Sequence, residues 1–92
     1  MGFFDKLKDI NEMRKQAKQI ELMLGQETIS GSSSGNKIKI TMDGNQIIKS
    51  VEVDPSVAGD KSEIGRHIRQ ALEDLFAKHK KILQSKFGGM MQ

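Results

Sequence analysis

The chain has 92 residues, no cysteine and a formal net charge of +3. This length suits one small domain, residues 1–92, and the lack of cysteine excludes disulfides and thiolate metal sites. No apolar run approaches the roughly 20 residues that a membrane span needs, and no signal-peptide core is present, so we expect a cytoplasmic protein without a membrane partner.

The first predicted element is a helix over Phe3–Leu24, a stretch without proline or interior glycine that is followed by Gly25. Its apolar residues step by three and four and fill an arc of roughly 100°, as on a coiled-coil seam. The seam consists of Ile10, Met13, Ala17, Ile20 and Leu24. Charges separate by sign beside it: Lys8, Lys15 and Lys18 on one flank with Arg14 at the seam edge, and Asp5, Asp9 and Glu12 on the other.

Residues 26–54 predict three strands in an antiparallel meander. ETIS is a weak first strand, SGSSSG a flexible loop, and NKIKITM a strand with Ile38, Ile40 and Met42 on one face. DGN predicts a tight hairpin turn, because Gly44 and Asn45 tolerate positive φ. QIIKSVEV follows, with Ile47, Val51 and Val53 on an apolar face that needs a cover.

A second helix is predicted from Lys61 to about Lys86, with Asp60 and Glu63 as a capping box at its start. Its apolar arc is roughly 140° wide, which favours packing against a sheet or two neighbours. The arc contains Ile64, Ile68, Ala71, Leu72, Leu75, Phe76, Ile82 and Leu83. The last residues, 88–92, are predicted to fray.

Basic residues concentrate in this helix, since residues 61–92 hold seven basic and three acidic side chains. The segment FAKHKKILQSKFGG carries Lys78, Lys80, Lys81 and Lys86 and no acid. A solvated face is the ordinary explanation of such a run, but the separation of charge sign on both helices favours contact with phosphates. The candidate DNA-binding residues are Lys8, Arg14, Lys15, Lys18, Arg66, Arg69, Lys78, Lys80 and Lys81.

The chain has no Trp and no Tyr, and proteins that read single strands stack bases on exposed aromatic side chains. We therefore expect duplex DNA as the partner and predict that Phe76 and Phe87 pack. His67 and His79 lie about 120° apart on the helix and cannot share a metal, and His79 is expected to be packed or to lie at a dimer interface. No set of nucleophile and base converges, so no enzyme, metal, cofactor or small-molecule substrate is predicted.

The predicted helices would be roughly 33 and 39 Å long, whereas the strands span only about 20 Å. The helices must therefore overhang the sheet. An apolar stripe that overhangs is costly in water unless it meets another surface. This mismatch predicts an oligomer with projecting helices.

Four stretches carry a resemblance: EMRKQAKQIE in the first helix, TISGSSSGNKIKITMDGNQIIKSVEVDPSV in the strand region, GDKSEI, and QALEDLFAKHKK in the second helix. In this order of elements, they resemble the YbaB/EbfC family of bacterial nucleoid-associated proteins. This resemblance implies an α+β fold of order α-β-β-β-α, a homodimer whose helices project like tweezers, and binding of DNA in the nucleoid. The family offers no fixed contact residues to transfer, so the candidate residues rest on charge geometry.

Two hypotheses of function follow. In the first, a homodimer without catalytic activity binds double-stranded DNA mainly through its phosphate backbone. In the second, the chain is a protein-interaction adaptor whose projecting seam holds a partner helix, and its lysines serve only solubility. Reversal of charge at Lys80 and Lys81 discriminates them, because only the first hypothesis needs those charges.

Overall fold

The computed structural model describes residues 3–88, with side chains from Asp9 onward. Its α+β architecture has the predicted α-β-β-β-α order. The elements are α1 (Phe3–Gly25), β1 (Ile29–Ser32), a short 3-10 turn (Ser34–Asn36), β2 (Ile38–Met42), β3 (Ile48–Val53) and α2 (Lys61–Phe87). Of the predicted frayed tail, Gly88 continues α2 and donates its N–H to the Gln84 carbonyl, and the rest lies outside the described residues.

The three strands form one antiparallel sheet in the order β1-β2-β3, and α2 packs across β1 and β2. The alternation predicted for β2 is confirmed, because Ile38, Ile40 and Met42 are buried while Lys39 is exposed. The buried apolar core consists of Ile29, Ile38, Ile40, Met42, Val57, Ala71 and Leu75.

The prediction for the serine-rich segment was wrong in part. β1 starts two residues later than ETIS and includes Gly31 and Ser32, which were assigned to a flexible loop. The remainder is a compact turn in which Ser33 donates its N–H to the Ile38 carbonyl at 2.9 Å and accepts the Ile38 N–H on Oγ at 2.9 Å. Glycine and serine suggested flexibility, whereas their small size lets the chain pack closely here.

The β2–β3 loop lies where DGN predicted it, but its geometry differs. The loop spans 43–47, and the residue with positive φ is Gln46 at 64°, neither Gly44 nor Asn45. A bulge follows, because Thr41 pairs with Ser50 and Met42 pairs with Ile48. This extra residue shifts the alternation, so Ile48 rather than Ile47 shares the face of Val51 and Val53.

The start of α2 is capped by Asp60, whose carboxylate accepts the N–H groups of Ser62 and Glu63. This confirms the predicted N-cap, an arrangement that satisfies donors which a helix leaves unpaired. The reciprocal half of the capping box is absent: the Asp60 N–H donates to the Val57 carbonyl, and the Glu63 side chain bonds Arg66.

The molecule is elongated, with dimensions of 65 × 21 × 20 Å and a radius of gyration of 18.6 Å. A compact chain of this length would have a radius of about 12 Å. Much of the difference comes from α1, in which every residue from Asp9 to Gln19 is exposed. The predicted overhang is therefore present for α1, which forms an arm that meets the rest of the chain near its C-terminal end.

Candidate nucleic-acid interface

The arm carries the first group of predicted contact residues. Arg14, Lys15 and Lys18 are exposed, and none of the three pairs with an acidic side chain among the described residues. Lys8 falls within α1, but its side chain lies outside the described part of the chain. Exposed cations that form no ion pair are free to neutralise phosphates, so these three are candidate contacts, although the side chains described in α1 balance three basic with three acidic groups.

The predicted cations of α2 fall into two groups. Arg66 pairs with Glu63 at 2.6 Å, Arg69 with Glu73 at 3.8 Å, and Lys78 with Asp74 at 3.1 Å. Lys80 and Lys81 are exposed and have no acidic partner in the described region. The three paired cations remain exposed. Because exposed ion pairs contribute little to stability, exchanging an acidic partner for a phosphate would cost little.

The interpretation of the lysine run as unanswered was wrong for two of its four members. Lys78 pairs with Asp74, and Lys86 pairs with Glu27. The first partner lies four residues earlier on the same helix, a spacing at which side chains are neighbours, so the sequence contained this signal. Glu27 lies in a distant segment and gave none. Lys80 and Lys81 are thus the members of the run that form no ion pair in the described region, although Lys81 also contributes to the lowered pKa of Asp74.

Three side chains of α2 cover the outer edge of β1. Gln70 Oε1 accepts the Ser34 N–H at 3.1 Å, Asp74 Oδ2 accepts the Ser32 N–H at 2.9 Å, and Lys78 Nζ donates to the Ser30 carbonyl at 2.9 Å. These residues recur every four positions along one face of α2. They satisfy backbone groups that a neighbouring strand would otherwise satisfy, so this edge of the sheet is closed.

The position of Asp74 at this edge lowers the pKa of its carboxylate. The hydrogen bond from the Ser32 N–H, with the hydrogen bond from Lys78, holds the pKa of Asp74 below its ordinary 3.8, although partial burial opposes the shift. Asp74 is therefore charged at neutral pH and binds Lys78 electrostatically. Among the predicted DNA contacts, Lys78 consequently has a structural role that the sequence did not reveal.

A buried polar contact joins the serine-rich turn to α2. His67 is only 4% exposed, and its Nδ1 lies 2.8 Å from Ser33 Oγ. Glu63 Oε2 lies 3.5 Å from the other ring nitrogen. Although serine, histidine and a carboxylate also form hydrolytic triads, Ser33 Oγ is buried and already accepts the Ile38 N–H. This contact holds the turn against α2, and the described residues contain no cluster suited to a metal ion.

An exposed apolar corner lies on the other side of α2. Val51 and Val53 pair with Ile40 and Ile38 and so share the face that α2 covers, yet they are 55% and 44% exposed. Phe76 of α2 is 48% exposed, so the predicted packing of this residue is not achieved within the single chain and stays a prediction for the dimer. Phe87 is half-buried. The corner consists of Ile48, Val51, Val53, Ile68 and Phe76.

These features define a class of protein: a small α+β chain with one closed sheet edge, an exposed apolar corner and a projecting helix that carries exposed cations without ion-pair partners in the described region. A model of the YbaB/EbfC DNA-binding family matches residues 1–92. The chain belongs to the YbaB/EbfC family, and the predicted resemblance is confirmed.

Curated relatives agree with this assignment. The chain is 30% identical over 89 residues to a nucleoid-associated protein of Dictyoglomus thermophilum, with 95% of this chain and 86% of the relative covered. It is 34% identical over 73 residues to a nucleoid-associated protein of Hahella chejuensis, with 79% and 61% covered.

The fold recurs in a crystal structure of an uncharacterized protein from Helicobacter pylori. The superposition covers 100% of this chain and 99% of the Helicobacter pylori chain, with a TM-score of 0.80 and 18% sequence identity. At this identity the likeness establishes the shared architecture, and it confirms the predicted α-β-β-β-α fold.

Proposed function

We propose that this chain is a nucleoid-associated protein that binds double-stranded DNA as a homodimer, mainly through the phosphate backbone. The observation that carries the proposal is the projecting α1, whose Arg14, Lys15 and Lys18 have no acidic partners in the described region. Membership of a DNA-binding family supports the same conclusion. The protein acts by binding, without catalysis, cofactor or membrane attachment.

The contacts are assigned to both helices. Arg14, Lys15 and Lys18 of α1 and Lys80 and Lys81 of α2 bind phosphates as exposed cations that form no ion pair in the described region, and Lys8 of α1 is assigned to the same role. Arg66, Arg69 and Lys78 exchange or share their acidic partners when DNA approaches. Lysine and arginine suit this task because each neutralised phosphate releases condensed counterions. Contacts of this kind position a protein on DNA but carry little sequence information.

Dimerisation is supported by the apolar corner. Three of its residues belong to β3, whose outer edge is free of a further strand in the described sheet. Burying a side chain such as Val or Phe contributes roughly 1.5–3 kcal/mol, so a second copy seated on this corner would bury several such groups. Pairing there would leave the α1 arms free to approach DNA.

The salt dependence of binding to a random-sequence duplex, followed by fluorescence anisotropy, tests the proposal. If six to eight of the cations assigned in a dimer neutralise phosphates at the same time, log K falls against log salt with a slope of about −5 to −7. Lys80→Glu should make this slope shallower by about 2 for a dimer, since one contact is lost from each copy. Lys61→Glu is the matched control, because it changes net charge equally at an exposed site outside the predicted set.

A slope near zero for the unchanged protein would refute backbone binding. Equal effects of Lys80→Glu and Lys61→Glu would show that net charge, rather than the α2 cations, governs affinity.

The adaptor hypothesis is kept because the α1 seam is exposed: Ile10 is 44% and Met13 is 67% exposed. If a partner helix binds this seam, Met13→Gln weakens its capture, and because this substitution adds no charge beside Arg14 it leaves DNA affinity unchanged. If the arm serves only DNA, the same substitution has no binding phenotype with proteins. A pull-down and an anisotropy titration on the same variant separate these results.

A further inference from the structure

The β2–β3 loop, residues 43–47, contacts the C-terminal end of α1. Gly44 donates its N–H to the Leu24 carbonyl at 2.8 Å. A Cβ atom added at Gly44 would lie 2.6 Å from that carbonyl oxygen and 2.9 Å from Leu24 Cβ. Glycine is therefore required here by close approach, and α1 rests directly on the loop.

A side chain of the same loop supplies a second bond to the arm. Asn45 Nδ2 donates to the Glu21 carbonyl at 2.9 Å. The last turns of a helix expose carbonyls with partial negative charge, and α1 has no basic residue in its last turn. The loop thus adds donors to this end of α1, where the Glu27 N–H also bonds the Leu24 carbonyl at 3.1 Å.

The opposite side of the loop is bonded to α2. His79 Nε2 lies 2.9 Å from the Gly44 carbonyl oxygen, and because that oxygen only accepts, Nε2 carries the hydrogen. One residue, Gly44, therefore bonds both helices: its N–H binds α1 and its carbonyl binds α2. Lys86 of α2 and Glu27, just after α1, form an ion pair across the same junction.

The loop is well suited to transmit position because it is itself held firmly. Asp43 is 5% exposed, and its Oδ1 accepts the N–H groups of Asn45 at 2.8 Å and Ile47 at 3.1 Å. Burial opposes ionisation, but these bonds and the nearby Lys49 together hold the pKa of Asp43 below its ordinary value. The carboxylate thus remains charged and keeps the loop in one conformation.

We propose that this loop sets the direction of the α1 arm, and that Gly44, Asn45 and His79 are positioning residues for DNA binding. The inference rests on the proposed function for its effect on DNA, although the geometry of the junction does not. Residues 9–19 of α1 are exposed, so the contacts at the junction determine where Arg14, Lys15 and Lys18 lie relative to the rest of the chain. A directed arm binds without the entropy loss that a freely swinging arm would incur.

The test measures arm direction and DNA affinity separately. Because the chain has no cysteine, spin labels at Gln16→Cys and Lys61→Cys report the distance from arm to body. Dilution with unlabelled protein removes distances between copies. The unchanged junction should give a narrow distance distribution, and His79→Leu should broaden it. His79→Gln should restore the narrow distribution, because a glutamine amide can donate to the Gly44 carbonyl.

DNA affinity should follow the distance distribution. His79→Leu should weaken binding about five- to tenfold, the effect of one lost hydrogen bond, with the slope of log K against log salt unchanged because the phosphate contacts remain. His79→Gln should retain most of the affinity. Gly44→Ala should broaden the distances further, and Asn45→Asp, which replaces a donor by an acceptor of equal size, gives the same test if Gly44→Ala does not fold.

A narrow distribution in both His79→Leu and Asn45→Asp would overturn the proposal. So would an affinity loss accompanied by a shallower salt slope, since that result would make His79 a contact residue. If the unchanged protein binds no DNA, the proposed function fails, and the distance distributions alone then decide the role of the junction.

Discussion

Gly31 lies where β1 passes closest to α2. A Cβ atom there would come within 2.3 Å of the Ala71 carbonyl oxygen and 2.6 Å of Leu75 Cβ, and both neighbours belong to the core. The residue has no unusual backbone conformation, since Gly35 is the described glycine with positive φ. Its small size is what lets the strand lie on the helix.

We expect Gly31→Ala to lower the free energy of unfolding by about 1–3 kcal/mol, because overpacking forces the backbone apart. Gly65→Ala is the matched substitution in α2, where an added Cβ meets nothing within 4 Å. It should stabilise by roughly 0.5–1 kcal/mol, as alanine is the better helix former. Urea unfolding measures both, and equal effects would contradict the close approach at Gly31.

Asp74 predicts a dependence of stability on pH. Because its folded pKa is depressed by the Ser32 N–H and Lys78, its contribution is complete above the unfolded pKa of about 3.9 and is lost as pH falls through the lower folded value. Asp74→Asn should therefore be less stable than the unchanged protein at pH 7, and the difference should shrink below about pH 4.

Glu73→Gln is the control for this prediction. It removes an equal charge from the adjacent position, where the side chain is 72% exposed and lies 3.8 Å from Arg69. Its effect should be small at every pH. A difference for Asp74→Asn that stays constant down to pH 2 would contradict the electrostatic explanation.

At the scale of elements, periodicity predicted what depends on burial along one segment. Alternation placed Ile38 and Ile40 in the core, and the three-to-four spacing gave both helices within one residue of their observed ends. Contacts between distant segments produce no periodic pattern in the sequence. The bulge that exchanges Ile47 for Ile48, and the Ser33–His67 contact across 34 positions, depend on tertiary packing. The sequence identified the candidate cations. It could indicate their acidic partners only within α2, where the two side chains of a pair lie three or four positions apart.

The two helices should differ in local stability. α1 is exposed from Asp9 to Gln19, whereas α2 buries His67, Ala71 and Leu75. Local opening is easiest where few apolar contacts are made. In hydrogen exchange, amides of residues 9–19 should exchange far faster than those of residues 67–79, and duplex DNA should slow the former. Equal protection without DNA would mean that another surface already covers the arm.

At the scale of the whole molecule, the apolar corner predicts the oligomeric state. Light scattering should give twice the chain mass of 10.3 kDa. Val51→Asp should yield the monomer, because a charge on this face cannot be buried without a partner. Ser50→Asp, on the opposite face of the same strand, should remain dimeric. Dimers of equal stability in both variants would place the interface elsewhere.

The hydrogen bonds of Gln70, Asp74 and Lys78 along β1 have a consequence for growth. A sheet with two available margins can accept neighbours on both sides and lengthen into a fibre. Among the described strands only the β3 edge stays open, so two copies that pair there by strand addition leave no open edge for a third copy. By occupying the β1 edge, α2 therefore limits such an assembly to a finite size.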